Sequence, residues 1–189
     1  MPANRRRGHR SAKNSGLTLI EIAVGIAILI TGVLGFVETM IRLERAHERT
    51  REVGRATEAA RRIVQSIQAE AFPEAFRRYN GDPTDDPGGP GTAPGKNFAV
   101  PGLSARPGDP DGLPGEILFP TPPGQPGVLR ESVVDARIGM PRDLNGDGVI
   151  SAVGNYSTTY IVLPVRVVVD WTGPAGPGHV EVRTMLANY

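Results

Sequence analysis

The chain has 189 residues, enough for one domain, and its lack of cysteine excludes disulfide bonds. Its formal net charge of +1 hides an uneven distribution, because the first 16 residues hold five of the 21 Lys and Arg residues and none of the 20 Asp and Glu residues. The other 173 residues carry 16 basic and 20 acidic side chains, a net charge of −4. Such a mildly acidic body is not typical of a nucleic-acid binder.

A basic leader precedes a long apolar stretch at the amino terminus. The 21 residues Leu17–Val37 contain a single charge, Glu21. In a helix they would reach roughly 31 Å, the thickness of the hydrocarbon core of a bilayer. The basic residues before them are Arg5, Arg6, Arg7, Arg10 and Lys13. Because such clusters stay on the cytoplasmic side, the sequence predicts one membrane span with a cytoplasmic amino terminus and an exported body.

Glu21 is unusual because a carboxylate inside an apolar span is costly. Insertion scales give about 2.5–3.5 kcal/mol for Asp at a helix centre and less toward an end, so an acid that is retained there suggests a function. The alternative is an ordinary signal anchor, in which Glu21 lies near the interface and extends its carboxylate to water. The residues around Glu21 favour a functional role.

The segment Ser15–Glu21, with the sequence Ser-Gly-Leu-Thr-Leu-Ile-Glu, resembles the processing site of type IV prepilins and type II secretion pseudopilins. The resemblance covers the leader, the cleavage site and the apolar helix, about a fifth of the chain. It implies that a prepilin peptidase cleaves after Gly16 and methylates the new amino terminus at Leu17. It also implies that Glu21 pairs with the terminal amine of a neighbouring subunit during assembly.

Two positions depart from the commonest pattern of this family. Leu17 stands where phenylalanine is usual, and Glu38 stands where many major pilins have a proline. The apolar run Ile26–Gly35 is similar to minor subunits more than to major ones. The resemblance therefore implies a structural minor pilin or pseudopilin, and not an enzyme. The implied partners are a prepilin peptidase, other pilin or pseudopilin subunits and the inner membrane, and no nucleic acid is expected. The implied location is first the inner membrane, with the body of the chain in the periplasm, and then a pilus or pseudopilus.

The sequence after the apolar stretch predicts an amphipathic continuation of the same helix. No proline occurs from Glu38 to Ala71, and the opposite face is charged and solvated. We therefore predict one helix from about Leu17 to Ala71, which ends or kinks at Phe72-Pro73. Its apolar stripe consists of Val53, Ala56, Ala60, Ile63, Ile67 and Ala71.

The composition changes sharply after this helix. Residues 81–127 hold 11 glycines and 12 prolines in 47 positions, without the glycine period of collagen. This composition predicts a long irregular loop that either contacts a partner or is a tolerated insertion, interrupted by one short strand near Glu116–Phe119.

The carboxyl-terminal third has the composition of β-strands. Val128–Ile138 alternates loosely, Tyr156–Trp171 is rich in β-branched residues, and Pro164 predicts that this second strand is an edge or is bulged. Thr172–Gly178 is a turn, and the last strand closes a hairpin.

The predicted fold is α+β, a long helix packed on a small antiparallel sheet. The predicted segments are a leader (1–16), an assembly helix (17–37), its continuation (38–79), the Gly/Pro-rich loop (80–127) and the β region (128–189). One face of the hairpin is formed by Val165, Val167, Val169, Trp171, Val180, Val182, Thr184 and Leu186.

Residues 143–151 resemble the first half of an EF-hand or dockerin calcium loop. Asp143, Asn145 and Asp147 stand at positions one, three and five, and Val149 supplies a carbonyl at position seven. The twelfth position, where a bidentate acid should stand, is Gly154. The sequence leaves two interpretations, a weak calcium site or a plain turn, and calcium is the one cofactor that it suggests. A second acidic cluster, Asp82, Asp85 and Asp86, is expected to be solvated.

Catalysis has little support in the sequence. The three histidines, His9, His47 and His179, are far apart and are not accompanied by a serine nucleophile motif. The alternative to a pilin-like subunit is therefore a membrane-anchored, non-polymerising, calcium-dependent binding module. The two hypotheses differ at Gly16, because only a pilin-like chain must lose its leader.

Overall fold

The computed structural model describes residues 18–188. The chain divides into two compact units, Met1–Glu44 and Arg45–Tyr189. Helix α1 spans Leu19–Ala69, and α2 spans Phe72–Tyr79. The predicted long helix is therefore confirmed over the described residues, and Leu17 lies outside them. Pro73 occupies the first turn of α2, where the missing amide costs nothing, so the predicted break begins a second short helix.

Five antiparallel strands form one sheet in the second unit. They are β1 (Asn97–Phe98), β2 (Ser104–Ala105), β3 (Gly115–Leu118), β4 (Val162–Gly173) and β5 (Gly176–Ala187). Strand β4 pairs with β5 along one edge and with β3 and β2 along the other, and β1 pairs with β3. Together with α1 this sheet confirms the predicted α+β fold.

The position of β4 corrects the prediction made from Pro164. Strand β4 is the central strand, and its register with β5 is unbroken from Val162 to Gly173, so it is neither an edge nor bulged. Pro164 is tolerated because β3 ends at Leu118, opposite Arg166. On that side of Pro164 no strand needs its amide.

The core lies between β4 and the part of α1 that belongs to the second unit. Val165, Val167, Val169 and Trp171 alternate along β4 and are at most 1% exposed, as predicted, and Leu163 extends the same face. The buried residues of α1 are Glu52, Ala56, Ala60 and Ile67.

The buried stripe of α1 differs from the predicted one at both ends. Val53 is 39% exposed, and its neighbour Glu52 is buried instead, because a residue four positions before Ala56 lies on the same face. Ala71 is exposed and follows the end of α1. The predicted stripe is therefore right in its middle and wrong at Val53 and Ala71.

The Gly/Pro-rich segment contains more structure than its composition predicts. Strand β3 confirms the predicted short strand, whereas β1 and β2 were not predicted. The close packing of this segment needs glycine at Gly115, because an added Cβ would overlap the ring of Phe98. Phe76 of α2 packs edge-on against Phe119, with ring centroids 5.2 Å apart, which joins the end of this segment to the core.

The prediction that a β region begins at Val128 is wrong for residues 128–161. They contain one short 3-10 turn, Ala136–Ile138, and an isolated bridge between Asp135 and Met140, while β4 begins only at Val162. Some of their apolar residues, Leu129 and Leu144 among them, are buried without strand pairing, whereas Val134 and Val153 are 82% exposed. The alternation that suggested a strand therefore reflects burial in an irregular segment.

Candidate functional site

The first candidate site is the apolar part of α1. Thr18 caps the helix, since its carbonyl and its Oγ1 both accept the amide of Glu21, at 3.0 and 3.3 Å. Glu21 lies in the first turn, where the helix dipole favours a negative charge. Gly16 and Leu17, the predicted cleavage and methylation residues, lie outside the described residues.

The apolar side chains of the first unit are uncovered. Leu19 is 87% exposed and Ile28 is 68% exposed, and no residue of the most apolar window is buried. The helix is long and apolar enough to cross a membrane. This surface needs a cover that the described part of the chain does not supply.

The polar side chains within this stretch are bonded to their own helix. Thr31 donates its hydroxyl to the carbonyl of Ala27 at 2.9 Å, and Thr39 donates to the carbonyl of Gly35 at 2.8 Å. Bonds of this kind suit a hydrocarbon environment, because they leave no hydroxyl hydrogen unpaired.

The second candidate site is the loop of residues 143–151. The carboxylate of Asp143 accepts the amides of Asn145, Gly146 and Gly148 at 3.2, 2.6 and 2.7 Å. These bonds, with that from Gly148 the strongest, lower the pKa of Asp143. The side-chain amide of Asn145 donates to Asp147 at 2.9 Å, so the structure brings the three predicted ligands into one turn.

Glu131 holds both ends of this loop, a role that the sequence analysis did not predict. Its side chain is fully buried, and its two oxygens accept the amides of Leu144 and Ser151, each at 2.8 Å. A buried carboxylate with two amide donors fixes the loop ends tightly. No local pattern could have identified it, because Glu131 stands among other charged and polar residues, Arg130 and Ser132 beside it.

The oxygens of the predicted calcium loop are engaged in hydrogen bonds of the loop itself. The Asp143 oxygens are occupied by backbone amides, and Val149 donates its own amide to Asp147 at 2.8 Å. Over residues 18–188 no group of three acidic or histidine side chains is arranged to hold a metal. Gly154 packs against Tyr156, where an added Cβ would overlap the phenol. Calcium binding therefore stays a prediction.

A third feature joins α1 to the hairpin. Glu52 is 2% exposed, and its Oε2 accepts the indole N–H of Trp171 at 3.0 Å. Its Oε1 is buried without a hydrogen-bond partner among the described residues. The carboxylate lies against Gly173, where an added Cβ would overlap it. This contact fastens the hairpin end to the helix, at the cost of one unpaired oxygen.

His179 belongs to a charged network on the face of the sheet opposite α1. Its Nδ1 lies 3.0 Å from Asp170 and its Nε2 lies 3.7 Å from Glu181. Arg106 pairs with Asp170 at 2.6 Å. His47 lies on α1, and His9 lies outside the described residues.

The second acidic cluster is only partly solvated, since burial raises the pKa of Asp85, whose carboxylate accepts the Asn80 amide at 3.0 Å.

The chain matches no family model, no curated protein and no solved structure.

Proposed function

We propose that this chain is a minor pilin or pseudopilin, a structural subunit of a type IV pilus or a type II secretion pseudopilus. The observation that carries the proposal is the succession of a basic leader, Gly16, Leu17 and Glu21 at the start of an apolar helix. Prepilin peptidase cleaves between Gly16 and Leu17 and methylates Leu17. The helix is held in the inner membrane with its leader in the cytoplasm and its body in the periplasm.

The uncovered surface of the first unit supports assembly through this helix. Apolar side chains lie on every side of α1 from Leu19 to Leu43, so both a bilayer and a bundle of neighbouring helices can cover them. Within α1, Glu21 is the one charged side chain before Glu38. In the filament it pairs with the terminal amine of an adjacent subunit, where little water screens the attraction.

The experiment that tests this function separates processing from assembly. Mass spectrometry of the protein purified from its native membrane should give a chain that begins at methylated Leu17. In cells, Glu21→Ala should leave insertion and cleavage intact and abolish cross-linking to other subunits, and Glu21→Gln should be nearly as defective. An intact leader would contradict the proposal.

The alternative function is a membrane-anchored, non-polymerising, calcium-dependent binding module. The observation that favours it is the clustering of Asp143, Asn145 and Asp147 in one turn. An affinity of roughly 10⁻⁴–10⁻³ M, as in extracellular modules, would stabilise the domain by mass action at higher calcium concentrations. The melting temperature of the full chain should then rise in several millimolar calcium, and it should not rise in Asp147→Ala.

A further inference from the structure

Strand β5 is a long edge strand. It pairs with β4 over twelve residues, from Gly176 to Ala187, without a bulge. No other strand of the described chain pairs with it. Strands of five or six residues are usual, and a long, regular edge offers an unpaired row of backbone groups to another chain.

The direction of these groups follows from the bonds of β4. The amide of Asp170 donates to the carbonyl of Pro114, on the side of β3. In an antiparallel ladder the backbone amides and carbonyls of alternate residues point to opposite sides of the strand. The backbone groups of the odd-numbered residues of β4 therefore point toward β5, and those of their even-numbered partners in β5 point toward β4. The outward-facing amides of β5, which bond to no other described residue, belong to His179, Glu181, Arg183, Met185 and Ala187.

The apolar side chains of β5 are also partly exposed to solvent at this edge of the sheet. Val180 and Val182 pack against the core but stay partly exposed, whereas their partners Val169 and Val167 on β4 are fully buried. The two strands differ because β4 has a neighbour on each side. A strand added to β5 would complete the burial of these valines.

The charges accessible at this edge are cationic. The side chain of Glu181 is 10% exposed, because Arg137, Arg166, His179 and Arg183 all lie within 4 Å of it. The side chains of Arg137 and Arg183 are 59% and 51% exposed. A second copy of the chain would present the same cations, which disfavours self-pairing and favours an acidic partner.

We propose that β5 binds an extended, acidic segment of a partner protein by antiparallel strand addition. The residue of that segment that lies opposite Arg183 is acidic, and the alternate residues are β-branched and cover Val180 and Val182. Backbone hydrogen bonds supply affinity, and the alternation of side chains supplies specificity. This inference is independent of filament assembly.

The test measures the binding of a labelled synthetic peptide of alternating valine and glutamate to the full chain in detergent, by fluorescence anisotropy. The control peptide replaces each glutamate by lysine. We expect the glutamate peptide to bind about tenfold tighter or more. Arg183→Glu should reverse this preference, whereas Arg62→Glu makes the same change of charge on α1, at the other face of the sheet, and should not. The emission of Trp171 and the melting temperature show whether each variant is folded.

Backbone methylation of the peptide distinguishes strand addition from charge attraction. Opposite the outward-facing residues of β5, the glutamate amides point toward β5 and the valine amides point away. N-methylation at the glutamates should therefore abolish binding, and N-methylation at the valines should be tolerated. Equal loss with both peptides, unchanged binding with both, or a dimer of the chain that excludes the peptide would overturn the proposal.

Discussion

Residues 19–43 and residues 52–67 belong to the same helix, yet their apolar side chains meet different surroundings. In the first segment large aliphatic residues occur on every side and stay exposed. In the second segment one narrow stripe is buried, and two of its four residues are alanines. Hydrophobicity alone therefore does not decide which part of a helix a domain buries. Residues 52–67 fit the face of β4, whereas residues 19–43 require a cover that residues 18–188 do not supply.

The sharpest test compares two isoleucines of α1. Ile67 is 1% exposed, and Ile30 is 52% exposed. Ile67→Ala should lower the free energy of unfolding of the second unit by about 2–5 kcal/mol, because it leaves a cavity in the core. Ile30→Ala should change it by less than about 0.5 kcal/mol. Urea unfolding of the full chain in detergent, followed by the fluorescence of Trp171, measures both, and equal effects would contradict the comparison.

Glu52 tests whether the buried stripe needs its one polar contact. Glu52→Ala leaves the indole N–H of Trp171 buried and unpaired, which should cost about 1–3 kcal/mol. Glu52→Gln keeps an oxygen acceptor and should cost less than about 1 kcal/mol. The same unfolding assay separates them. A Gln variant as unstable as the Ala variant would show that the negative charge itself is required.

Two alanines test how closely the helix approaches the sheet. Ala60 is fully buried, and Ala27 is exposed in the first unit. Ala60→Leu should destabilise the second unit by about 1–3 kcal/mol through overpacking. Ala27→Leu should have no effect on its melting curve. A neutral Ala60→Leu would mean that the contact between helix and sheet has room that the structure does not show.

The smallest effect is expected at two glycines. Neither Gly54 nor Gly32 has an atom within 4 Å of an added Cβ. Gly54→Ala should stabilise the second unit by about 0.5–1 kcal/mol, because alanine favours the helix. Gly32→Ala should leave that unit unchanged. The melting temperature of each variant is the measurement, and a destabilising Gly54→Ala would indicate that the helix must bend there.

Local patterns in the sequence predicted those parts of the fold that depend on periodicity. The alternation of β4, the final hairpin, the strand at Glu116–Phe119 and the helical spacing of Ala56, Ala60 and Ile67 were all readable. The position of β4 in the sheet was not, because Pro164 excludes a neighbour only at its own position. Pairing partners depend on contacts far along the chain, which no local pattern encodes.

The candidate sites were predicted unequally for the same reason. Asp143, Asn145 and Asp147 form one turn because each lies two residues from the next, and local spacing decides that. Glu52 and Glu131 were missed, because a buried acid is revealed only by its distant partner, Trp171 in one case and the loop amides in the other. The roles of Gly16, Leu17 and Glu21 stay predictions.

The internal hydrogen bonds of Thr31 and Thr39 have a consequence for motion in a bilayer. A hydroxyl without a partner in hydrocarbon favours pairing with another helix and so restricts rotation about the helix axis. Since both hydroxyls are already bonded, the helix can rotate about its axis and slide past neighbours at little cost. Glu21 is then the residue that makes one rotational position of the helix about its axis different from all others. The proposed assembly through Glu21 therefore predicts that an unassembled subunit stays mobile in the membrane until this carboxylate meets the amine of a neighbour.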